Sequence, residues 1–250
     1  NGVVYNPGNT QETAHFIMVP EKLFPWTGDL EFIKEMYPVM KMGLHWLLSD
    51  MDKNRNLFPE GYGIMEVHGL NAELIDVAVY TQQALKATAY VAGILNEPRD
   101  KKHYEDLASD LEVKINKDFW DDAEGSYCDF YGTREQAISV ADGAITQLKR
   151  DEVQNEETKK RIAFYEQLKQ KFAAMPDVSK GWITNKNWVI STPIETGIAP
   201  REKAIALLDK IRKENVGEYG PYLAANEKNA MMTISTGVQA VAEAKYGRIN

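Results

Sequence analysis

Between Asn71 and Leu95 the chain places Leu74, Ile75, Val77, Ala78, Val79, Leu85, Ala89, Val91, Ala92, Ile94 and Leu95 so that a helix has almost no solvated face. A helix that is apolar all round has to be enclosed by other elements. The helical periodicity elsewhere supplies them, which predicts an all-α fold around this segment. Glu73, Asp76, Tyr80 and Gln83 interrupt the apolar surface at spacings of three, four and three, which puts them on one stripe. Unpaired carboxylates are costly to bury, so the stripe is expected to face a wet cavity.

The stretch leading into this helix opens on the polar turn Asp52-Lys53-Asn54-Arg55-Asn56. It then gathers Pro59, Gly61, Gly63, Gly69, Tyr62 and the carboxylates Glu60, Glu66, Glu73 and Asp76. Glycine and proline at this density mark a loop. A long, acid-bearing loop therefore feeds a buried helix.

Further helices are expected over about 11–26, 30–51, 99–119, 137–148, 156–175, 201–213 and 226–246. Pro20 predicts a kink or break in the first of these and Pro38 a bend in the second. Gly28 suits a helix end and Asp29 the next N-cap, so the first two helices form an antiparallel hairpin. Trp120–Thr133 has room for a short β-pair, and Gly181–Pro200 reads as a second long aromatic loop. Eight helices in about four hairpins follow, with short turns on one side and long loops on the other. That alternation suits a ring of hairpins with function on the long loops.

With 250 residues, 44% of them hydrophobic, the chain can build one large core or two modest ones. A net charge of −8 with no concentrated basic surface argues against a nucleic-acid groove, and Lys159, Lys160 and Arg161, which follow Glu156 and Glu157, read as a solvated helix face. A single cysteine, Cys128, excludes an intramolecular disulfide framework. No apolar run approaches the ~20 residues of a membrane span. The four histidines, His15, His45, His68 and His103, are far apart and no phosphate-binding motif occurs, so neither a metal nor another cofactor is expected. The start at Asn1 and the stop just after a helix suggest a piece of a longer protein, and its compartment, cytoplasmic or periplasmic, stays open.

Several segments occur in an order that resembles glycogen-debranching and glucoamylase-like glycoside hydrolases. They are Tyr5-Asn6-Pro7-Gly8-Asn9-Thr10-Gln11-Glu12-Thr13-Ala14-His15-Phe16, Trp26-Thr27-Gly28-Asp29, Leu57-Phe58-Pro59-Glu60-Gly61 with Ile64-Met65-Glu66, and Asn71-Ala72-Glu73-Leu74. The resemblance implies an (α/α)6 toroid of helical hairpins, incomplete in this chain, with residues 1–250 forming one catalytic domain. It also implies inverting hydrolysis of an α-glucoside, oligosaccharide or glycogen-like substrate by two carboxylates. By position Glu66 matches the family's general acid, Glu12 an acidic substrate-binding position and Glu73 an acid at the head of an inner helix. This chain has Ile64-Met65-Glu66 where debranching members usually have Trp-Met-Asp.

Inversion needs one protonated carboxyl and one ionised carboxylate to activate water, about 6.5–9.5 Å apart. Ile64, Met65 and Val67 would desolvate Glu66 and keep it protonated. Glu218, in a second glycine-flanked acidic turn, is a candidate base, although the resembled family places its base elsewhere. Tyr5, Tyr62, Trp182 and Trp188, with Asn9, Gln11, Asn185 and Asn187, make up an expected sugar platform, and Glu12, Glu73 and Asp76 are further expected substrate-binding residues. The rival readings are a carbohydrate-binding or scaffold module without turnover, and another toroid hydrolase or lyase of trehalase-like or mannosidase-like type. Lacking a clear base, the chain alone is expected to be a poor hydrolase and to expose apolar helix faces.

Overall fold

The computed structural model describes residues 9–65, 70–151, 153–228 and 230–248. In chain order these form α1 (Thr10–Thr27), α2 (Leu30–His45), β1 (Glu60–Gly61), β2 (Ala72–Leu74), α3 (Ile75–Ile94) and α4 (Pro98–Asp118). There follow β3 (Trp120–Asp121), β4 (Ser126–Tyr127), β5 (Phe130–Gly132), α5 (Arg134–Asp151), α6 (Glu156–Ala173) and β6 (Lys180–Trp182). The last elements are α7 (Thr192–Thr196), α8 (Arg201–Glu214), β7 (Val216–Gly217), β8 (Gly220–Pro221) and α9 (Thr233–Lys245). The fold is all-α, and among the described residues the helix beyond the eight expected is the short α7. Two compact units divide the chain, one drawn from Asn1–Ile64 and Asp76–Lys117, the other from Met65–Ile75 and Asp118–Asn250.

In the first unit α1 ends as its residues dictate. Gly28 takes a left-handed φ of 61° and its N–H donates to the Phe24 carbonyl, while the Asp29 carboxylate accepts the Phe32 N–H at 3.0 Å and opens α2. Of the kink or break expected at Pro20, the break does not occur: α1 runs through both Pro20 and Pro25. Proline deprives the carbonyl four residues back of its donor. For Pro20 that carbonyl belongs to Phe16, on the exposed side of the helix, while the Pro20 ring itself is buried. Beyond His45, α2 widens into a π-helical turn, Trp46–Asp50.

The enclosed helix is present but starts later than its apolar pattern predicts. Residues 72–74 are extended and pair antiparallel with β5, Glu73 opposite Tyr131 and Leu74 opposite Phe130. The Ile75 N–H then donates to the Asp129 carbonyl, so a strand partner satisfies the backbone that a helix would otherwise have satisfied. Glu73 therefore leaves the stripe, which begins at Asp76. From there α3 is buried nearly all round, with Val77, Val79, Ala84, Leu85, Val91 and Ala92 fully covered. Its buried Gln82 directs its amide to the Ala108 carbonyl and to Glu112 on α4. This closes the α3–α4 hairpin.

In the second unit β2, β5 and β6 form an antiparallel sheet, and β3 pairs with β4 as the β-pair expected over Trp120–Thr133. Ala141, Ala144, Ile145, Leu148 and Tyr165 make the core of the α5–α6 hairpin. The segment Gly181–Pro200 is more ordered than a loop: it holds β6, a 3-10 turn at Trp188–Ser191 and α7. The final helix begins at Thr233 rather than near Asn226.

One carboxylate organises this unit. Asp129 is fully buried, and its Oδ2 accepts the Thr184 N–H at 2.7 Å, the Thr184 hydroxyl at 2.9 Å and the Asn185 and Lys186 N–H groups at 3.2 and 3.3 Å. Its Oδ1 accepts the Asn187 N–H at 3.0 Å. Burial pushes the carboxyl pKa up and these donors pull it back. Every partner is a donor, so the ionised form is the one they fit. Asp129→Ala strands several buried donors, each worth about 1–3 kcal/mol when unpaired. We expect it to cost more than about 3 kcal/mol in urea denaturation, and a loss below about 1 kcal/mol would contradict this role for the carboxylate.

Candidate active site

Three pieces of the first unit are tied together: the start of α1, the segment 60–64 and the start of α3. The Thr10 N–H donates to the Tyr62 carbonyl at 2.7 Å, Asn9 and Tyr62 form a parallel bridge, and the Thr10 hydroxyl reaches the Glu60 carbonyl at 3.4 Å. Gly61 makes this approach possible. Its φ is 152°, and a Cβ there would lie 1.9 Å from Thr10 Oγ1. Gly61→Ala is expected to cost about 2 kcal/mol or more, read as a lowered melting temperature, because both the conformation and the space exclude a side chain.

Asp76 stands in the first turn of α3 with no exposure to solvent. Its Oδ2 accepts the Ile64 N–H at 3.0 Å, and among the described residues its Oδ1 has no hydrogen-bond partner. Burial pushes its pKa up to about 6, against the pull of the Ile64 N–H and of the amides of Asp76 and Val77 at the helix start. The carboxyl therefore exchanges its proton close to neutrality. One turn on, Tyr80 packs its ring against His15 of α1, with centroids 4.2 Å apart. Burial lowers the His15 pKa, opposed by the charge of Glu12. Glu12 is exposed and accepts the Asn9 amide at 3.3 Å, while the buried Gln11 has a side-chain oxygen without a partner among the described residues.

Asn9, Gln11, Glu12, Tyr62 and Asp76 thus belong to the first unit, on or beside the three tied pieces. They are joined by His15 and Tyr80, which the sequence reading did not single out as a pair. The signal was there, since Gln11 and His15 on one helix and Asp76 and Tyr80 on another are each four apart and so share a face. Amides, carboxylates, phenols and an imidazole are the groups that bind sugar hydroxyls and move protons.

The remaining expected residues fall elsewhere. Glu66 and Tyr5 lie outside the described residues. Glu73 is buried on β2, where its charge and that of Asp118 add to the burial that raises the Tyr131 pKa. Trp188 is 4% exposed and Trp182 1% exposed, so neither offers a ring face to a sugar. The Trp182 indole N–H instead donates to the Gly132 carbonyl at 2.7 Å. The Asn185 amide holds the Tyr165 hydroxyl and the Asn187 side chain caps the 3-10 turn, so both are engaged internally. The platform expected from these four residues is core packing. Glu218 is exposed in the turn between β7 and β8.

Helical hairpins with their acids on the connections and at helix starts have the build of a helical-hairpin glycosidase domain. The family model of the bacterial α-L-rhamnosidase six-hairpin glycosidase domain matches residues 4–176, and the chain belongs to that family. The family matched is thus the rhamnosidase one, whereas the sequence segments resemble the debranching and glucoamylase group. Among solved structures, a GH78 family rhamnosidase of Bacillus sp. GL1 is similar at 16% identity with a TM-score of 0.45. The likeness covers 95% of this chain and 26% of that one, so this chain spans about a quarter of that protein. A comparison with curated proteins finds no match. Among the described residues no helix is long and apolar enough to cross a membrane.

The raised pKa of Asp76 has a signed consequence for stability. Between about pH 4 and pH 6 the folded chain keeps a proton that the unfolded chain releases, so stability falls as pH rises through that window and is level above it. About two pKa units correspond to roughly 3 kcal/mol. Asp76→Asn is expected to flatten this slope and to stabilise the protein at pH 7, as measured by urea denaturation across pH. A slope that survives the substitution would show that another group titrates.

Proposed function

We propose that this chain is part of a glycoside hydrolase domain acting on an α-L-rhamnoside, by inversion, with Glu66 as the proton donor. Family membership supports the reaction class and the rhamnoside, in place of the α-glucoside expected from the resemblance. The observation that carries the site is Asp76, a fully buried carboxyl with one oxygen on the Ile64 N–H, two residues before Glu66, and the other without a partner among the described residues. Asp76 is a positioning residue in this reading: it holds the Ile64 N–H, two residues before Glu66 in sequence. Glu12, Asn9, Gln11 and Tyr62 take the sugar hydroxyls, and Glu73 remains a substrate-binding position by the resemblance alone.

The reading divides the roles of the two carboxyls. Glu66 has to deliver a proton to the leaving oxygen, so its amide variant binds substrate and fails to turn it over. Asp76 acts through the loop, so its amide variant keeps the Ile64 contact. In the full-length protein, Glu66→Gln is expected to lower kcat on an α-L-rhamnoside with a poor leaving group at least a hundredfold, about 2.7 kcal/mol of barrier, with KM little changed. Near wild-type kcat would remove Glu66 from the acid role. Asp76→Asn should shift the pH profile more than it lowers the rate. Glu218→Gln serves as the control: from its exposed turn it is expected to leave the rate alone, and lost turnover would instead make Glu218 the base.

A further inference from the structure

A cleft of about 810 Å³ lies within the second unit, bounded by α6, α8, the β3–β4 hairpin and the segment 180–186. Its volume is that of a site for a small molecule or a few sugar rings. Among its described lining residues are six lysines, Lys171, Lys180, Lys186, Lys210, Lys213 and Lys228, against the three carboxylates of Asp121, Glu124 and Glu214. Six minus three leaves a local excess of three positive charges in a chain whose net charge is −8. Sequence-distant lysines are thus collected against the overall charge.

Glu124 cannot neutralise this group. Lys186 Nζ lies 3.0 Å and Lys210 Nζ 3.6 Å from the same Glu124 oxygen, and Lys186, Lys210 and Lys171 together hold the Glu124 pKa down. Lys171, Lys213 and Lys228 make no hydrogen bond or ion pair among the described residues. The side chains of Lys186 and Lys210 are about a quarter exposed, at 26% and 25%, so their charges sit in the cleft and not in open solvent. Charge in such a cleft is screened less than on a surface. Lys186 is also held in the left-handed region, φ 50°, its N–H anchored on Asp129. A strained non-glycine residue is retained where the surrounding contacts over-determine it, and the Lys186 ammonium itself lines the cleft beside Glu124.

We propose that this cleft binds an oligosaccharide bearing carboxylate or sulfate groups. The anionic part rests on the lysines. The saccharide part rests on the glycosidase reading above and on the half-buried apolar wall of Phe164, Leu168 and Ile183, against which sugar faces can lie. A nucleic acid would need an extended basic track rather than one pocket of this volume.

The test is calorimetric titration of the full-length protein with trigalacturonate, a sulfated chondroitin tetrasaccharide, neutral maltotriose and inorganic phosphate. One or both acidic saccharides are expected to bind, weakening roughly tenfold or more between about 50 and about 300 mM sodium chloride, and which of them binds distinguishes uronate from sulfate. The exposed pair Lys171→Glu with Lys213→Glu should weaken that binding by roughly tenfold or more while leaving the melting temperature and the rate on a neutral aryl α-L-rhamnoside unchanged. Maltotriose or phosphate binding as tightly as the acidic saccharides, no binding of either acid, or an unaffected double variant would each overturn the proposal. Turnover of the aryl rhamnoside without acid binding overturns this cleft alone. Acid binding without any turnover overturns the hydrolase reading and keeps the cleft.

Discussion

Two buried aspartates divide the labour of this chain, and the difference lies in how many hydrogen bonds each carboxyl receives. Asp129 accepts from four consecutive backbone N–H groups, 184–187, and from one hydroxyl. A carboxylate so enclosed is committed to the shape of the segment that follows β6. Asp76 is equally buried yet accepts the Ile64 N–H on one oxygen and, among the described residues, nothing on the other. An unpaired buried oxygen is costly to keep. The satisfied carboxylate reads as architecture, and the unsatisfied one is the carboxyl on which the proposed positioning role rests.

Much of the helical framework was legible because it depends on local rules. Gly28 in the left-handed region and Asp29 at the N-cap do what those residue types do, and from Ile75 onward the enclosed helix follows its apolar pattern. The errors share one cause, which is competition between a local rule and a distant partner. Residues 72–74 fit the helical period, but β5 offered them a strand ladder, so Glu73 lost its place on the stripe. Pro20 does not break α1: its ring is buried, and the residue whose carbonyl loses its donor, Phe16, is exposed. Trp182 and Trp188 looked like a ligand platform because they sit in a glycine-rich stretch, whereas sheet pairing and the Asp129 clamp fold that stretch inward. No period or motif in one segment announces a partner fifty residues away.

The candidate site was legible in part for the same reason. Gln11 with His15 and Asp76 with Tyr80 are local pairs, readable from spacing. That His15 meets Tyr80, or that Thr10 leaves no room for a Cβ at residue 61, is a fact of packing between elements. Electrostatics shows this most clearly. The expectation of no concentrated basic surface was read from the sequence alone, and it said nothing about Lys171, Lys180, Lys186, Lys210, Lys213 and Lys228, which become neighbours only after α6, β6 and α8 are placed.

The lysine cleft also straddles the boundary of the family match, which ends at residue 176. Lys171 and the acids of the β3–β4 hairpin lie within the matched stretch, and Lys180 to Lys228 lie beyond it. The two halves meet at Glu124, which is matched, and at Lys186 and Lys210, which are not. Asp129 is matched as well, and it fixes the left-handed conformation from which Lys186 projects. A residue within the family match therefore holds the backbone of a cation outside it. Changing the residue at 186 would alter the charge of the cleft without altering the clamp, because Asp129 holds that position through its backbone N–H and not its side chain. In this arrangement the ligand charge can be tuned at low structural cost while the fold that presents it stays fixed.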